Sequence, residues 1–185
     1  KASLSEFLQG VQPGTRLEID ARKARRVDYD IAELLQDFKA TAAANNVVCT
    51  FTNTKIPTLR VQKSTTSGIG GPFTFSGTNL AAVLPAITTT AASTPQPASP
   101  TTVNVSTIGT QVTVTETVAS GFSFTSASCT DSNAAITGNS GSFGTVAGTT
   151  LTIPNARVVA GADFLCVFTN LRLLPAFSIS KSQTS

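Results

Sequence analysis

From Thr54 onward the chain alternates apolar and polar residues in short runs separated by Gly, Pro, Asn and Ser. A half-buried strand changes face with every residue, so this alternation predicts strands at about 58–64, 72–76, 101–107, 111–118, 121–128, 149–153 and 163–170. Many short strands at such spacing predict a mainly β fold, a β-sandwich or a closely related barrel. The stretch PAITTTAASTPQPASPTT, Pro85 to Thr102, is poor in bulky residues and reads as an exposed loop, plain or glycosylated.

The first 45 residues have a different pattern. Ser3 and Glu6 fit a capping box ahead of Phe7 and Leu8, with Gly10 as a stop. Ile31, Leu34, Leu35 and Phe38 recur at helical spacing within a second helix predicted over about 28–44. Between the two helices TRLEID, Thr15 to Asp20, reads as a strand. GTRLEIDAR also resembles GTTLTIPNAR at Gly148 to Arg157, as if the N-terminal piece were the end of a divergent repeat carrying a helical insertion.

A clearer repeat lies downstream. VVCTFTN (Val47 to Asn53) returns as FLCVFTN (Phe164 to Asn170), with Cys49 and Cys166, and Asn53 and Asn170, each 117 positions apart. IPTLRVQKS follows the first copy and LPAFSISKS the second, which places Lys63 and Lys181 in corresponding positions. A period of this length is that of a domain. The expected organisation is a partial preceding repeat over 1–53, a complete sandwich over 54–170, and over 171–185 a linker with the first strand of a following repeat.

Composition narrows the function. Charged residues make up 12% of the chain, and residues 1–45 hold 14 of the 23. A net charge of +3 is too small and scattered for nucleic-acid binding. The basic run Ala21 to Arg26 is followed at once by acids and reads as a solvated turn. Histidine is absent, which removes the usual general base and the commonest metal ligand. No metal site, no cofactor and no turnover enzyme are expected, and no apolar run is long enough for membrane insertion. Asp131 to Asn133, DSN, reads as an Asx-type turn in preference to a calcium ligand.

Strand phase singles out three polar residues. Asn170 continues the apolar set Phe164, Cys166 and Phe168; Lys63 continues Leu59 and Val61; and Glu116 sits among Val112, Val114 and Val118. All three are thus expected on the apolar faces of their strands. A lone lysine or carboxylate facing a core is desolvated, which favours the neutral forms. A neutral lysine amine is a nucleophile, an asparagine carboxamide an electrophile, and a protonated glutamic acid can hold the carbonyl and shuttle protons as ammonia leaves. The product would be an amide between Lys63 and Asn170. The competing reading makes Lys63 and Asn170 edge residues that snorkel to solvent, or Lys63 and Glu116 an unreacted ion pair.

The order of lysine late in the first strand, glutamate in a middle strand and asparagine ending the last resembles the Cna-B type, prealbumin-like repeat domains of bacterial pilins and surface adhesins. That resemblance covers about Thr54 to Asn170. It implies a Greek-key-like sandwich of the prealbumin/Ig-like type in which Lys63 and Asn170 form a spontaneous isopeptide bond and Glu116 handles the protons. It implies further a stalk segment on the bacterial cell surface, with neighbouring repeats or other copies as partners. Asn53 and Lys181 match the crosslinking positions of adjacent repeats or of a neighbouring molecule. A second reading is a fibre subunit that completes a neighbour's sheet with its tail, in which Phe177, Ile179 and Lys181 are in phase.

Cysteine usage leaves two readings. In an oxidising compartment Cys129 and Cys166, both within the complete repeat, can pair, which leaves Cys49 unpaired or joined to an external partner. In a reducing one, all three are core thiols.

Overall fold

The computed structural model describes residues 2–20, 29–44, 47–52 and 54–174. The chain divides into two compact units, Lys1–Lys55 and Ile56–Ser185.

In the first unit, helix α1 (Ala2–Gln9) stops at Gly10, whose N–H donates back to the carbonyls of Glu6 and Phe7. The helix already includes Ala2, so Ser3 lies inside it and is not the cap expected. Strand β1 (Arg16–Asp20), helix α2 (Tyr29–Ala44) and strand β2 (Val48–Thr52) follow. Along α2 the stripe Ile31, Leu34, Leu35 and Phe38 is half-buried and runs on to buried Ala42. Strands β1 and β2 pair in parallel, with Leu17 opposite Cys49. A parallel pair needs a crossover between its strands, and α2 lies within that connection.

Among its described residues the second unit holds nine strands: β3 (Thr58–Thr65), β4 (Gly70–Thr78), β5 (Ile87–Thr89), β6 (Val103–Asn104), β7 (Val112–Thr117), β8 (Phe122–Asp131), β9 (Thr145–Ala147), β10 (Thr150–Ile153) and β11 (Asp163–Arg172). One sheet has the order β6-β3-β11-β8 and the other β5-β4-β7-β10-β9. The mainly β sandwich expected from the alternation is the observed class. Its core is built from the inward residues of both sheets, among them Leu59, Phe75, Val114, Leu151, Phe164 and Phe168, all closed to solvent.

Two departures matter for the site. First, β8 carries a bulge: Thr169 pairs with Ser126 but Asn170 with Phe124, which leaves Thr125 as the extra residue. The inward set of β8 therefore switches parity, from Cys129 and Ala127 to Phe124 and Phe122, while β11 keeps its phase through Asn170. Second, the Thr/Ser/Pro stretch is not simply an exposed loop. It contains β5, buries Ile87 and Thr89, and lies against the outer edge of β3. Its side chains are too small to register as a strand in the sequence. Conversely, the strand expected at 101–107 is reduced to the two residues of β6 and a single bridge from Val105 to Leu80.

Candidate functional site

Three strands carry the site. On β3 the inward residues are Leu59, Val61, Lys63 and Thr65, and on β11 they are Phe164, Cys166, Phe168 and Asn170. These two strands, the first and last among the described residues of the unit, are neighbours and run parallel, with Lys63 opposite Phe168 and Thr65 opposite Asn170. Strand β7 of the facing sheet presents Val112, Val114 and Glu116 to the same interior. Alternation alone thus turns all three polar residues inward. The sandwich packing makes them meet.

Lys63 and Asn170 are 0% exposed and Glu116 is 2% exposed, so none of them snorkels to solvent. Lys63 Nζ donates to Glu116 Oε2 at 3.0 Å, and Asn170 Nδ2 donates to Glu116 Oε1 at 2.6 Å. One carboxylate therefore holds both the amine and the carboxamide. Asn170 Oδ1 is buried with no hydrogen-bond partner. Lys63 Nζ also lies 4.7 Å from the centroid of the Phe73 ring, and Phe75 packs edge-on against Phe168 at 5.3 Å. Burial holds the Lys63 amine down to about 8 from its ordinary 10.5, against the opposing effect of its hydrogen bond and charge pairing with Glu116. A larger share of neutral amine is the consequence.

Sequence reasoning missed Phe73. Its place beside Phe75 in the alternating GPFTF run was the available signal, but nothing local shows that its ring lies beneath a lysine.

Cys129 and Cys166 are directly opposite on antiparallel β8 and β11 and form a disulfide. That is the oxidised reading of the two. Cys49 lies on β2, opposite Leu17. Asn53 and Lys181 lie outside the described residues, as do the basic run at 21–26 and the tail strand with Phe177 and Ile179. Asp131 accepts from the Asn133 N–H at 2.8 Å, an Asx turn, and also from the Asp163 N–H, Thr137 Oγ1 and Asn139 Nδ2. Among the described residues no group of three or more His, Cys, Asp or Glu could hold a metal ion, and no helix is long and apolar enough to cross a membrane.

The family model of the prealbumin-like fold domain matches residues 59–172, which takes in both strands of the parallel pair and all three site residues. The chain belongs to this family of prealbumin-like domains, the one its strand order and polar phase resemble. Among solved structures it is similar to the major pilin T-13 of Streptococcus pyogenes, at 15% identity and a TM-score of 0.38 over 68% of this chain and 48% of that one. It is also similar to the major pilin T3.2 of the same organism (16% identity, TM-score 0.38, 68% of this chain and 48% of that one). A third is the pilus adhesin SpaC of Lactobacillus rhamnosus GG (18%, TM-score 0.31, 73% of this chain and 17% of that one). The chain thus spans about half the length of these pilins and a smaller part of the adhesin. No curated protein sequence matches it.

Proposed function

We propose that residues 54–170 are a load-bearing module of an extracellular fibre or adhesin stalk on a bacterial surface, closed by an amide between Lys63 and Asn170. The observation that carries this reading is the contact of one buried carboxylate with both the buried amine and the buried carboxamide. A proton passing from the Lys63 ammonium to Glu116 leaves a neutral amine. Lys63 Nζ attacks Asn170 Cγ, the Cγ–Nδ2 bond breaks, and Nδ2 leaves as ammonium, having taken through Glu116 the two protons that Nζ gives up. The carboxylate is regenerated, no redox partner is needed, and the reaction occurs once per molecule.

The topology explains what such a bond would do. Tension entering at Thr58 and leaving at Arg172 shears the parallel β3–β11 pair. An amide between Lys63 and Asn170 passes that tension from one strand to the other and bypasses the chain between them. The same logic assigns Asn53 and Lys181 to crosslinks with neighbouring repeats or copies. Intact mass under reducing conditions tests the reading: the parent chain should be lighter than its sequence by about 17 Da, one ammonia, and Glu116→Ala should restore the full mass. An unshifted parent would leave the three residues as an unreacted polar cluster.

A further inference from the structure

Strand β3 needs cover on the side away from β11. Strand β6 covers it only at Thr58 and Leu59. Farther along, residues 90–97 of the Thr/Ser/Pro stretch take over. Lys63 N–H donates to the Gln96 carbonyl at 2.7 Å, and Gln96 N–H donates to the Lys63 carbonyl at 2.8 Å. Ser93 N–H donates to the Thr65 carbonyl, Ser93 Oγ to the Thr66 carbonyl, and Gln62 Nε2 to the Pro97 carbonyl. The curve of this segment is tied internally by the Gln96 side chain, whose Oε1 accepts from Thr90 N–H at 2.7 Å and Thr90 Oγ1 at 3.1 Å.

We propose that residues 90–97 are a strap that keeps water from the Lys63 edge of β3, and that Gln96 is the positioning residue that sets the strap for crosslinking. The inference rests on the crosslinking reading above. Gln96 acts through Lys63 and does not touch the carboxamide. Without the strap, the Lys63 main chain would turn to water for both hydrogen bonds, and water at this edge would reduce the desolvation of its amine. The strap carries no titratable residue, and neither do β4 and β5; Glu116 is the titratable group of β7. On β3 the other charged residue, Arg60, pairs with Asp163 of β11 at 2.7 Å, and Arg172 at the end of β11 is exposed. A change in the pH dependence of the reaction would therefore report on the Lys63–Glu116 pair.

The test is a chase of the full chain made by cell-free translation at a series of pH values, quenched in acidic denaturant and read by intact mass. Gln96→Ala removes the acceptor for Thr90, whereas Gln96→Glu keeps it. The expected result is ammonia loss about tenfold slower in Gln96→Ala, roughly the worth of one intramolecular hydrogen bond, with the midpoint of its pH–rate profile moved upward and Gln96→Glu near the parent. If Gln96→Ala does not fold, Thr90→Val, which removes only the hydroxyl donor, should show a slowing of about threefold with the same upward move. Equal rates and midpoints in the parent and the folded variant would overturn the role of Gln96 while leaving the crosslink standing. A parent that never loses ammonia would overturn the crosslink itself, and the strap's role with it.

Discussion

Asn170 and Glu116 come from opposite sheets of the sandwich, yet Nδ2 of the one lies 2.6 Å from Oε1 of the other in a part of the core closed to solvent. Glu116 is the bridge of the site, because its second oxygen holds Lys63. A buried charge left without its partner is far more costly than an exposed one.

Glu116→Ala should therefore do more than stop the crosslink. It leaves the Lys63 amine among Phe73 and aliphatic side chains with no acceptor, and should lower stability by about 3–5 kcal/mol on top of the loss of any covalent tie. Urea unfolding checks this, with Asn170→Ala as the uncrosslinked reference that retains the Lys63–Glu116 pair.

In that reference, the burial of Lys63 gives stability a definite pH dependence. The folded amine titrates at about 8 and its ordinary value is 10.5, so between these the unfolded chain binds more protons. Stability should rise with pH across that window and level off above it. A crosslinked parent has no titrating amine at this position and should lack the rise; melting temperatures from pH 7 to 11 separate the two.

Asp131 should act on the acid side. Burial alone would raise its pKa, but four hydrogen bonds, from Thr137, the Asp163 and Asn133 N–H groups and Asn139, hold it below its ordinary 3.8. Its contribution is present above that value and is lost as pH falls through the lower folded value. Asp131→Asn should thus lower the melting temperature at pH 6, with the gap to the parent narrowing below about pH 4.

Removing the disulfide with Cys129→Ala and Cys166→Ala together should cost about 3–4 kcal/mol by chain entropy. The bridge closes 37 positions of chain and ties β8 to β11 beside the site. Urea unfolding of an Asn170→Ala background measures it without the second crosslink; a loss under about 1 kcal/mol would mean that the unfolded chain is constrained by other means.

Much of this was legible from strand phase. The seven expected strands correspond to β3, β4, β6, β7, β8, β10 and β11, and the inward placement of Lys63, Glu116 and Asn170 followed from their neighbours at every second position. Strands β5 and β9 were missed, because ITT and TVA are three-residue strands without a long alternation. The loop reading of 85–102 holds for most of the stretch, which is exposed outside β5, but it did not show the strap, because the strap is held by main-chain bonds to β3 and main-chain bonds leave no residue pattern.

The sequence by itself determined which face of each strand is apolar, and hence that three polar side chains must be buried or paired, because side-chain alternation is a local property of an extended chain. Only the tertiary structure decided that they share one carboxylate, that Phe73 lies beneath the lysine, that Cys129 stands opposite Cys166, and that residues 90–97 cover the open edge. Those are contacts between segments distant in the chain, set by which strands become neighbours and by the bulge at Thr125 that lets β8 change phase while β11 carries Asn170 inward.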